Sequence, residues 1–108
     1  MRAVVLLLAL AACRHEAPPP QAARLIESHG CATCHHIPGI PGATGRTGPP
    51  LGHMGARVYV AGVAPATERT LARFLRDPKE LDPRSAMPRT GLSQTEASLL
   101  AAWLRSLE

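Results

Sequence analysis

Cys31-Ala32-Thr33-Cys34-His35 sets two thiols three residues apart and an imidazole directly after the second. On a helical turn, positions three and four apart share a face, so both sulfurs and the ring can address one object. Paired thiols at this spacing serve zinc binding, disulfide exchange or thioether attachment. A structural zinc site needs a second pair of nitrogen or sulfur ligands, and no second C-x-x-C and no H-x-x-x-H occurs in the chain. A thioredoxin-like pair belongs in a βαβ setting, for which the sequence offers no strand pattern. The C-x-x-C-H order that remains is the attachment signature of c-type haem. Cys31 and Cys34 then reach the two vinyl groups, and His35 turns toward the iron.

Iron held by one histidine takes a second axial ligand, which decides between electron transfer and binding of exogenous molecules. The candidates are Met54, Met87 and the other histidines. Met87, in Ser85-Ala86-Met87-Pro88-Arg89, falls in an irregular stretch between two helical segments, where backbone can lie flat against a ring. Met54 lies only 19 positions after His35. Were it the ligand, the later half of the chain would have no reason to wrap the haem, so Met87 is the expected ligand. Core filling is otherwise the commonest fate of a methionine. His36 adjoins His35 but cannot share its face on a helical turn, so it is expected at the surface. His15, His29 and His53 have no spacing that recommends them and are expected to be solvated.

The elements that must position these groups are helical. A first helix is expected from near Gln21 through Ser28, with Leu25 and Ile26 on its apolar side. From His36 to Pro50 four glycines and four prolines exclude regular structure. Glycine at every third position is the collagen pattern, but four triplets are too few for a triple helix, and a rigid irregular loop is expected. Thr67 is the N-cap of a second helix that Pro78 stops, with Leu71, Phe74 and Leu75 on one face. Ser93-Gln94-Thr95-Glu96 is a capping box, followed by Ala97, Leu100, Trp103, Leu104 and Leu107 at helical spacing. Val58-Tyr59-Val60 is the nearest approach to a strand and is short. The fold class is therefore all-α, with three main helices and long loops. Only Tyr59, Phe74 and Trp103 are aromatic, so a domain of this size needs a bound group to fill its middle.

The N-terminus reads as an export signal. Ala3 to Ala12 is apolar, too short to span a bilayer but suited to a signal peptide. Leu10-Ala11-Ala12-Cys13 resembles a lipobox, which makes residues 1–12 a lipoprotein signal peptide and Cys13 the lipidated first residue of the mature chain. Residues 13–21, with Pro18, Pro19 and Pro20, read as an extended tether, and residues 22–108 as the domain. Removing residues 1–12 leaves 108 − 12 = 96 residues with 11 basic and 8 acidic side chains, a net charge of +3. Three aromatics provide no stacking platform, so nucleic acid is not an expected partner. Basic residues from Arg73 to Arg89 alternate with Asp77, Glu80 and Asp82, the pattern of a solvated face.

With these residues in place, residues 22–108 resemble the class I cytochrome c family, which includes monohaem domains of bacterial respiratory chains and domains fused to oxidase subunit II. The resemblance implies a cytochrome c fold around one covalent haem c, with His35 as proximal and Met87 as distal ligand. It implies that Gly48-Pro49-Pro50-Leu51 is the loop whose Pro49 carbonyl accepts a hydrogen bond from the proximal imidazole. It further implies a crossing of the first and last helices at Ala23 or nearby against Trp103, and that Arg57 and Tyr59 reach a haem propionate. Phe74, which cannot donate a hydrogen bond, stands where many relatives carry a tryptophan.

The function so implied is single-electron transfer rather than enzymatic catalysis. The carrier would be lipid-anchored on the periplasmic side of a bacterial membrane. Its expected partners are a quinol-oxidising complex, a dehydrogenase or a terminal oxidase, met as a monomer or in transient complexes. The alternatives are a haem-based sensor in which a small molecule displaces Met87, or an accessory haem subunit of an oxidase or dehydrogenase.

Overall fold

The computed structural model describes residues 17–108; the expected signal peptide, lipidated Cys13 and the first part of the tether, residues 13–16, lie outside the described residues. The first helix, α1, spans Pro20–Ser28, with Pro19 as N-cap and Pro20 in the first helical position. Proline suits that position, because its missing N–H would have had no partner there. The expected tether through Gln21 is therefore shortened from its C-terminal end. Pro18 already lies against the following loop, since a Cβ built on Gly39 would come within 3.0 Å of its Cδ.

Gly30 adopts a left-handed conformation with φ 69° and turns the chain from α1 into a 3-10 turn at Cys31–Thr33. The glycine- and proline-rich loop that follows is ordered by its own backbone. The Ile37 N–H donates to the Ala43 carbonyl at 3.1 Å, and His36 bridges Thr44. A second 3-10 turn covers Met54–Ala56. A hairpin follows, of two-residue strands β1 (Tyr59–Val60) and β2 (Ala64–Pro65), paired antiparallel as Tyr59 with Pro65 and Val60 with Ala64. These are the only two strands among the described residues, whose other regular elements are helices and 3-10 turns.

Helix α2 spans Glu68–Arg76, and the Thr67 side chain caps it by accepting from the Thr70 N–H at 3.1 Å. Pro78 ends α2 as expected and also opens the one-turn helix α3, Pro78–Leu81. Helix α4 spans Gln94–Arg105, behind a complete capping box formed by Ser93 and Glu96. Helix α4 packs against α2 and α1. The small residue buried on α1 is Ala22, at 0% exposure, one position before the expected Ala23, which is only half-buried. Ala97 and Ala101 on α4 are equally buried, and Trp103 is 6% exposed. The core around them is aliphatic, with Trp103 its only buried aromatic among the described residues.

Candidate functional site

The thiols of Cys31 and Cys34 are both free and half-buried. The turn that carries them is closed by the Cys34 N–H at 3.3 Å and the His35 N–H at 3.1 Å, both donating to the Cys31 carbonyl. Burial pushes the Cys31 thiol up from its ordinary pKa, which favours its protonated form.

His35 is the one buried polar residue of the described core. Its Nδ1 donates to the Pro49 carbonyl at 2.7 Å. That bond fixes the tautomer and turns Nε2 toward the open side, where it forms no hydrogen bond among the described residues. Gly48 permits this closeness. A Cβ at Gly48 would lie 2.7 Å from Nδ1, inside the ring's contact surface. The Gly48 N–H also donates to the Cys34 carbonyl at 2.7 Å, and the Leu51 N–H donates to the His36 carbonyl at 2.8 Å. The loop thus runs alongside the thiol turn and delivers one carbonyl to the imidazole. Gly45 makes a second close approach, since its Cβ would sit 2.6 Å from the His35 N.

Met87 lies half-buried against the core, in a stretch folded on itself and tied to α2. Its N–H donates to Ser85 Oγ at 3.2 Å. Two residues past Pro88, the Thr90 hydroxyl donates to the Leu75 carbonyl at 2.6 Å, and the same oxygen accepts from the Leu92 N–H at 3.3 Å. Thr90 had no signal in the sequence, because its partners are backbone atoms. The Met54 side chain is 4% exposed within the apolar core.

Arg57 sends its Nη2 to the Pro50 carbonyl, while Tyr59 lies on the hairpin at 61% exposure. His36 and His53 are exposed, and His29 is half-buried with Nδ1 2.8 Å from the Leu25 carbonyl. His15 lies outside the described residues. The described residues hold no group of three or more histidine, cysteine or carboxylate side chains that could take a metal ion on their own.

This donor set fits a haem. Two unpaired thiols share one turn, an imidazole is held by one nitrogen with the other left over, and a glycine leaves room for the ring. A carbonyl-anchored histidine directly after two thiols three residues apart is the arrangement that c-type haem attachment requires. The family model for cytochrome c matches residues 21–108, and the chain belongs to the cytochrome c family. Such domains carry covalent c-type haem and transfer electrons; they are typically carriers rather than catalysts and typically extracytoplasmic. A curated relative is cytochrome c oxidase subunit 2 of Bacillus subtilis (strain 168), 33% identical over 92 residues. The match covers 82% of this chain and 26% of that protein, so the chain spans about a quarter of the relative's length. No solved structure matches the chain.

Proposed function

We propose that the protein is a class I c-type cytochrome that carries single electrons to or from a bacterial respiratory complex, with His35 and Met87 as axial ligands of one haem. The observation that carries this reading is the 2.7 Å bond from His35 Nδ1 to the Pro49 carbonyl, directly after the paired thiols. When bound, the haem supplies a one-electron couple. The chain's own part is to hold it through Cys31 and Cys34, to orient one ligand through Pro49, and to offer a sulfur from a loop clasped by Thr90. Met87 is preferred to Met54 because it stands in that clasped loop, half-buried, whereas the Met54 side chain is used up in the apolar core. The resemblance to part of an oxidase subunit favours a terminal oxidase or its electron donor as partner. Cys13 is proposed as a lipid anchor, which would keep the carrier at the periplasmic face of its membrane.

The ligation is tested by comparing two substitutions in natively matured protein. Met87→Ala should abolish the sulfur-to-iron charge-transfer band of the oxidised form and admit carbon monoxide to the reduced form. Met54→Ala should keep that band and destabilise the fold by about 2–5 kcal/mol, the usual cost of emptying a core site. The reverse pattern would transfer the role to Met54. Intact mass and a pyridine haemochrome spectrum of membrane-extracted protein test thioether and lipid attachment together.

A further inference from the structure

The last turn of α4 reaches across the molecule to the loop beside His35. Arg105 Nη1 donates to the Met54 carbonyl at 2.7 Å and to the Arg57 carbonyl at 3.1 Å. The Gly55 N–H donates to the Leu107 carbonyl at 2.7 Å. A Cβ built on Gly55 would lie 2.7 Å from the carbonyl oxygens of both Arg105 and Leu107, so the two backbones are in direct contact. Residues 54–57 are thus tied by three hydrogen bonds to Arg105, at the end of α4, and to Leu107 just beyond it. Arg57 leaves that turn and places its guanidinium on the Pro50 carbonyl. The neighbouring carbonyl, Pro49, is the one that holds His35 Nδ1.

We infer that Arg105 is a positioning residue of the haem centre: it fixes the 54–57 turn, which keeps Arg57 on Pro50 and so steadies the Pro49–His35 hydrogen bond. The inference rests on the reading of His35 as an axial ligand. Arg105 suits the task because it is always charged, and here both its recorded acceptors are backbone carbonyls rather than a carboxylate. The effect on the centre has a definite sign. A guanidinium held beside the imidazole's acceptor loop disfavours the oxidised state, which carries one more positive charge. Releasing Arg57 therefore favours oxidation and lowers the reduction potential.

The experiment uses full-length, natively matured holoprotein and reads two quantities: the midpoint potential, and the exchange rate of the His35 Nδ1 proton in the reduced form. Arg105→Gln is expected to shift the one-electron equilibrium toward oxidation by about threefold, which is about 30 mV at 59 mV per tenfold, and to speed the proton's exchange. Arg105→Lys keeps the charge but loses the fork, and should shift both quantities less, in the same direction. In an Arg57→Gln background, Arg105→Gln should add nothing further to the potential, since the route through Arg57 is already cut. A drop in thermal stability with potential and exchange unchanged would overturn the inference. So would an undiminished second shift in the Arg57→Gln background, which would mean that the Arg105 charge acts through space. If Arg105→Gln does not fold, Arg105→Lys decides alone, and an unchanged potential overturns the inference. Failure of the underlying haem reading is distinguishable, because wild-type protein would then lack covalent haem before any substitution is made.

Discussion

Gly48 has no room for even a methyl group. A Cβ at that position would lie 2.7 Å from Nδ1 of His35, with the ring already pinned by the Pro49 carbonyl. Neither partner can yield without breaking the bond that orients the imidazole, because Gly48 is itself tied to Cys34 by its N–H. Gly48→Ala is therefore expected to cut the yield of haem-bearing protein by about tenfold or more, the scale on which outer-shell partners of metal ligands act. Haem absorbance per unit of purified polypeptide measures it, and a normal yield would mean that the loop is far softer than its packing implies. The Cys-Cys-His motif was legible from its spacing alone, and the Pro49 contact from resemblance. Arg105 was not, because its acceptors are backbone carbonyls 51 and 48 residues away, and carbonyls carry no sequence signature.

At the level of elements, the capping box of α4 has a pH dependence of known sign. The Ser93 N–H donates to Glu96 Oε1 at 2.9 Å and the Glu96 N–H to Ser93 Oγ at 3.1 Å. These contacts with Ser93, backbone first, hold the Glu96 carboxyl below its ordinary pKa, with a smaller contribution from His29. A carboxyl with a depressed folded pKa contributes stability that is fully present above its unfolded pKa and is lost as pH falls through the folded one. Glu96→Gln keeps an acceptor for Ser93 but cannot titrate. Its melting temperature should fall less steeply than that of wild type on the acid side, and parallel curves would refute the assignment. Elements whose stop and start signals are local side chains, as at Thr67 and Ser93, were readable in the sequence. The hairpin at Tyr59–Pro65 was not. Its strands are too short for a period, and its turn depends on left-handed Ala61 and Gly62, of which only the glycine signals that conformation. Helix α3 was hidden because Pro78 acts both as a stop for one helix and as the first residue of the next.

On the scale of the whole molecule, the core is a thin aliphatic shell with one buried tryptophan, and the Nε1 of that Trp103 is buried without a hydrogen-bond partner among the described residues. Such a shell gains much of its stability from whatever fills it, since a covalent group that belongs only to the folded form favours that form. Cys31→Ser/Cys34→Ser protein, unable to form thioethers, is expected to keep most of its helical circular dichroism. It should also bind the dye ANS and lose a cooperative melt, the marks of a loosely packed state. A sharp melt at the wild-type temperature would show that the polypeptide alone suffices. Side-chain patterning made the general fold legible, because three helices with apolar faces and no strand period leave few other arrangements. The long-range clasps were not legible, because they close only in three dimensions.

The clasp between Arg105 and the 54–57 turn also sets an order of events. Its two bonds join residues 51 and 48 positions apart, whereas the tie from the Gly48 N–H to the Cys34 carbonyl spans 48 − 34 = 14. Closing a longer loop costs more chain entropy and comes later. The turn that presents the imidazole therefore takes shape first, and the Arg105 brace shuts over it afterwards as a latch.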